Sequence, residues 1–250
     1  IEIKPSAFKQ TAPMNIVPIS ATGTNALRLS SAGSCGRLSL SDDGTLISFV
    51  GFADGSSATL DETFVQERAV GALNYTNGFT SPVKYSSISF GGSQGRACTT
   101  QDNINWIIVD KGGLYINDFL FSAQNNVAAR TFGGTHYVET QKTSGGSPIP
   151  AVYALAMSSP ENIDHAVPNN LITDPVAVDF YMVSTNNGAS FDILYILDQI
   201  SATLGVIKKY SWVPDNTQIT GFGWAASGSF TNGNGGDSLF ATTNGSGGIY

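Results

Sequence analysis

The sequence predicts an all-β fold and, within that class, a β-propeller, on three observations. Only 12% of the 250 residues are charged, so the polar surface must come largely from Ser, Thr, Asn and Gly, residues that suit short strands and tight turns. Runs with strand character recur along the chain, separated by turns of Asp, Asn and Gly. Helical periodicity is scarce: its best candidate, Asp192 to Leu204, also reads as a long strand ending in a turn.

Two elements repeat. In the first, a β-rich run and a turn lead to Gly and an apolar or aromatic residue. It occurs at Trp106–Tyr115, at Tyr195–Tyr210 and at Leu239–Tyr250. Its glycines, Gly112, Gly205 and Gly247, stand 93 and 42 positions apart, which predicts one more, less regular copy near residue 158, after Val152–Met157. In the second element, strand, polar turn and strand follow one another. It occurs at Gly36–Val50 around Asp42-Asp43-Gly44, at Gly95–Trp106, and more weakly at Ala129–Val138 around Gly133-Gly134. A period of about 40–50 residues holding several strands is the mark of propeller blades.

These elements predict one propeller domain over residues 1–250, with about five visible blades, or six or seven if the chain is a fragment. Each second-type hairpin is expected to form the inner pair of a blade, and each Gly-Leu-Tyr element to lead to its outer strand. Ring closure requires the first and last blades to pair, because an open ring leaves bare strand edges. Asn15–Ile19, with Pro18 tolerated at an edge, is expected to supply a closing strand unless the natural protein continues past Tyr250.

The passages Leu38–Val50, Asn105–Tyr115 and Phe240–Tyr250 resemble the blades of secreted bacterial-type β-propeller proteins, many without an assigned activity. The likeness is one of repeat style over roughly residues 24–250. It implies a propeller and export, and it carries no functional residue onto this chain. That the chain opens on Ile1 rather than Met fits a mature or trimmed exported chain, and equally a fragment.

Charge narrows the partners. The net charge is −7, and Lys208-Lys209 is the largest basic cluster, so nucleic acid and anionic membrane surfaces are poor partners. No apolar run approaches the roughly 20 residues of a spanning helix, so membrane insertion is not expected. No CxxC pair, HExxH motif, EF-hand loop or Walker motif occurs, and neither metal nor cofactor is expected. Cys35 and Cys98 occupy similar places in successive repeats, which leaves an inter-blade disulfide and two thiols both open.

Candidate groups are few. His136 lies in a strand-like run and His165 in a Pro- and Asn-rich loop, neither in a catalytic motif. Asp42/Asp43 fall in a hairpin turn, where carboxylates bond local backbone. Asp61/Glu62 lie on a long connection that could project over a ring face. Gly233–Asp237 is a single glycine-rich turn, and a plain loop accounts for it. Trp106 sits in a repeated strand and reads as packing between blades. Trp212 and Trp224 border polar loops, where aromatic faces take up sugars or flat apolar ligands. The expected ligand residues are therefore Trp212, Trp224, Asp61 and Glu62. The expected function is a non-catalytic binding or surface-interaction module for a glycan, peptide or protein. The alternative is a secreted propeller hydrolase or lyase with carboxylates near the central channel.

Overall fold

The computed structural model describes residues 16–29, 35–53, 65–76, 78–88, 94–140, 151–156, 167–173, 177–186, 190–218, 222–233, 235–236 and 238–241. These residues form an all-β fold of antiparallel sheets, in which successive strands of the chain pair with one another. The first sheet holds β1 (Ser39–Leu40), β2 (Leu46–Phe52), β3 (Glu67–Asn74) and β4 (Phe79–Thr80), with β5 (Lys84–Ser86) also on β3. The second holds β6 (Gly95–Thr100), β7 (Trp106–Asp110), β8 (Leu114–Ile116) and β9 (Phe119–Ser122). The third is β10 (Asn126–Phe132), β11 (Thr135–Thr140), β12 (Ala151–Ala156) and β13 (Val167–Thr173). The fourth is β14 (Ala177–Val183), β15 (Ile193–Ser201), β16 (Leu204–Pro214) and β17 (Phe222–Asn232).

Turn chemistry explains the hairpins. Between β1 and β2, Gly44 adopts φ +69° while the Asp43 carboxylate accepts from Thr45 N, Thr45 Oγ1 and Ser41 Oγ. Between β6 and β7, the Asp102 carboxylate accepts the amides of Ile104 and Asn105. Between β10 and β11, Phe132 pairs with Thr135, so Gly133 and Gly134 form a two-residue turn, both at positive φ. Asp110 Oδ1 accepts from the amides of Gly112 and Gly113 and turns β7 into β8.

The sheets stack face to face. Val50, Val70 and Ala72 of the first meet Cys98, Trp106, Ile108 and Tyr115 of the second. The opposite face of the second, with Ile107, Val109, Leu114 and Ile116, meets Ala129, Val138, Tyr153 and Leu155 of the third. Ala128 and Val152 of the third meet Phe180, Met182, Leu194 and Ile196 of the fourth. A sheet buried on both faces favours apolar residues on both sides of a strand, which is why β7 opens Trp-Ile-Ile-Val without alternation. Leu27 and Ala53 cover Phe49 and Ala69 on the outer face of the first sheet, and Ala241 covers Val183 and Ile193 on the fourth.

Of the first strands, β10 packs against β1, β6 and β14, and β1 packs against β6. Side chains tie them to neighbouring backbone: Ser39 Oγ donates to Ala129 O, Ser48 Oγ to Cys98 O, and Arg37 Nη1 to Val178 O.

Several expectations are corrected in detail. The three predicted hairpins are indeed the first and second strands of the first three sheets, and Asp192–Leu204 contains strand β15. Trp106–Tyr115 and Tyr195–Tyr210 hold the same topological place, the second and third strands of their sheets. The copy placed near residue 158 is out of register, because Val152–Ala156 lies in β12, a third strand and so the counterpart of β8. First strands begin at residues 39, 95, 126 and 177, so the connections are too uneven for a fixed period to locate them. Among the described residues there are four such sheets, where about five units were expected. Leu239–Ala241 of the last predicted copy form no strand, and the rest lies outside the described residues. Of Asn15–Ile19, expected at a closing edge, Asn15 lies outside the described residues and Ile16–Ile19 form no strand; Ile19 packs beside Leu27 instead.

Candidate functional site

A cleft of about 710 Å³ opens between the first and fourth sheets, with β10 at its base. Leu38, Leu40 and Ile47 form one wall; Tyr181, Val183 and Phe240 form the other. Leu40 and Ile47 are cross-strand partners, so their side chains share one face of the β1–β2 hairpin. Aromatic rings run along the base and far wall: Phe132 lies 5.3 Å from Phe191 and 5.1 Å from Tyr181, which lies 5.0 Å from Phe240. Edge and tilted contacts of this kind hold rings in fixed orientations.

A buried ion pair positions the far wall. Arg130 of β10 donates from Nη2 to Asp179 Oδ2 at 2.7 Å and from Nε to Oδ1 at 3.3 Å. Asp179 Oδ2 also accepts from Ser238 Oγ and Leu239 N, while Arg130 Nη2 reaches Leu239 O. Phe180 N occupies the remaining side of Oδ1. The carboxylate is thus saturated with donors, as a buried charge requires. Its consequence is local: the pair pins residues 238–239 and so presents Phe240 to the cleft.

The lining serine and threonine hydroxyls are engaged as well. Ser41 donates to Asp43, Ser184 to Asn186, Ser238 to Asp179 and Ser39 to Ala129 O; Thr131 bonds both Thr99 and His136. Asp42 stands at the rim, where Oδ2 accepts from Gly134 N at 2.8 Å. Of the two charged residues among the described lining of the cleft, Arg130 is neutralised by Asp179, leaving Asp42 as the excess charge of that described lining.

The other residues singled out in the sequence fall as follows. Asp43 is held down at about 2 by hydrogen bonds from Ser41 and Thr45, with Asn103 adding another, so it serves the turn. His136 is only 4% exposed, and burial lowers its pKa to about 4 against the opposing pull of Asp102 and Asp42. Trp106 is fully buried between the first two sheets, as its place in the repeat predicted. Trp212 and Trp224 are brought together as cross-strand partners with ring centroids 5.3 Å apart. Trp224 packs against the core around Phe180 and Trp212 is 38% exposed; neither lines the cleft. Cys35 and Cys98 are not joined in a disulfide, and burial pushes Cys98 up to about 12. Asp61, Glu62 and His165 lie outside the described residues.

Sequence reasoning missed the cleft because its residues come from distant parts of the chain. One signal was present: Arg130 interrupts Val127–Phe132, a run otherwise fit for a buried strand, and a charge there needs a partner. The fold and site define an all-β protein of stacked antiparallel sheets, four or five strands each, with an apolar, aromatic-lined cleft. No family model matches the chain, and no curated protein matches it.

Proposed function

We propose that this chain is a secreted β-propeller acting as a non-catalytic binding or surface-interaction module, with the cleft between its first and fourth sheets as the ligand site. Consecutive antiparallel sheets of four or five strands, stacked face to face with β1, β6 and β14 gathered on β10, support the propeller reading. The scarcity of charge and the Ser-, Thr-, Asn- and Gly-rich composition support the exported reading.

One observation carries the binding reading: the cleft falls within the 300–1,000 Å³ range of ligand pockets and combines an aromatic base with aliphatic walls. Its serine and threonine hydroxyls and its Arg130 are occupied with holding the structure, which suits recognition better than proton transfer. The hydrolase or lyase alternative draws on Asp42 and Asp102, which lie within electrostatic reach of His136. Burial of that imidazole favours a structural role.

The test is a binding screen of the purified chain on glycan, peptide and protein arrays, repeated with Tyr181→Ser and Phe240→Ser. A ligand whose signal falls with both substitutions supports the proposal. Turnover of a glycan substrate that Asp42→Asn abolishes would replace it with the enzyme reading.

A further inference from the structure

Resting on the reading of this cleft as a binding site, we infer that its ligand is an extended peptide segment carrying large apolar side chains and one basic residue. The walls supply the first reason. Leu38 and Phe240 are 60% and 61% exposed, and Leu40 and Ile47 are also exposed, so the cleft is an open trough with an apolar lip. Exposed aliphatic surface of this kind gains by being covered.

Hydrogen-bonding capacity then separates ligand classes. A glycan needs a fence of polar groups beside an aromatic face. Here Ser39, Ser41, Ser184 and Ser238 spend their hydroxyl protons on protein acceptors, and Thr131 is tied to Thr99 and His136. What remains for a ligand among the described lining residues is apolar area, aromatic edges, the Tyr181 phenol and the Asp42 carboxylate. That charge is not offset by Arg130, which already belongs to Asp179, and the whole chain is acidic at −7. A Lys or Arg side chain reaching Asp42 from a backbone seated among Leu40, Phe132 and Tyr181 answers both features. It lays its aliphatic stem on the apolar lip and places its charge at the rim.

Fluorescence polarisation tests this with a fluorescein-labelled octapeptide, Gly-Phe-Leu-Lys-Phe-Ile-Ser-Gly. Counterparts carry Glu for Lys, or Ser for each of its apolar residues. The expected result is saturable binding of the first peptide, with at least tenfold weaker binding of the Glu peptide and none of the Ser peptide. Asp42→Asn, which keeps an oxygen for Gly134 N, should weaken binding about fivefold and abolish the preference for Lys over Glu. Leu40→Asp should remove binding while the circular dichroism spectrum stays unchanged. Equal binding of the Lys and Glu peptides overturns the charged half of the inference and leaves a binding module. Glycan binding, or binding of a dansylated fatty acid, without peptide binding overturns the ligand class while the cleft stands. If none binds, the inference and the cleft reading fall together.

Discussion

Thr131 Oγ1 lies 2.8 Å from His136 Nδ1, the first step of a hydrogen-bond chain that crosses three sheets. Thr131 is also 2.8 Å from Thr99 Oγ1, and Thr99 donates to the carbonyl of Leu40 at 3.4 Å. A carbonyl only accepts, so Thr99 spends its proton there and receives that of Thr131. Thr131 must then accept from the imidazole. The chain therefore dictates the Nδ1–H tautomer of His136, which nitrogen-15 shifts of the labelled ring would read directly; an Nε2–H ring would break the ordering.

The same histidine makes stability depend on pH. Its pKa is about 4 in the folded chain against 6.5 for the free side chain, so the unfolded chain binds more protons between those values. Its contribution is complete above pH 6.5 and is lost as pH falls through 4. The size is on the order of 3 kcal/mol from the width of that window. His136→Asn, whose amide nitrogen replaces Nδ1, should flatten the dependence of unfolding free energy on pH across this window. An unchanged slope would place the titration elsewhere.

Removing one partner of the Arg130–Asp179 pair should cost more than removing both. Asp179→Ala strands a buried guanidinium, with an expected loss of about 3–5 kcal/mol in urea unfolding. Arg130→Met combined with Asp179→Leu should recover a good part of it. A double variant as unstable as the single would mean that the charges are not the reason for the loss.

Gly51 is required by close approach rather than by a turn. A Cβ there would sit 2.7 Å from the carbonyl oxygen of Arg28 and 2.9 Å from the Leu27 side chain. Gly51→Ala should push that covering segment off the first sheet. The cost should be about 1–3 kcal/mol in chemical denaturation, with faster amide exchange at Arg28, whose N–H bonds Phe52 O.

Thiol titration checks the cysteines. Without reductant, the unfolded chain should yield two reactive thiols, and the folded chain should protect Cys98, which is buried with its thiol pushed up to about 12. No reactive thiol in the unfolded chain would restore the disulfide.

Legibility followed the range of the interactions. The hairpins at Asp42–Gly44 and Gly133–Gly134 were readable because a few adjacent residues determine them through turn chemistry. Strand β15 was readable because its length and its place in the repeat outweighed a helical pattern. The repeat at Val152–Ala156 was misplaced because connection lengths between strands are set by neither turn chemistry nor burial. The cleft was invisible for a related reason: Leu40, Arg130, Tyr181 and Phe240 meet only after the sheets have stacked. Trp212 and Trp224 were each singled out as aromatic faces beside polar loops; the register of β16 and β17 makes them neighbours, and neither lines the cleft.

The cleft between the first and fourth sheets is the centre of this account, and methyl NMR during ligand titration tests it most directly. With the Lys-containing peptide, the methyl signals of Leu38, Leu40, Ile47, Met182 and Val183 should shift together, while those of buried Ile108 and Leu155 stay fixed. Shifts confined instead to the indoles of Trp212 and Trp224, with the cleft methyls unmoved, would contradict it.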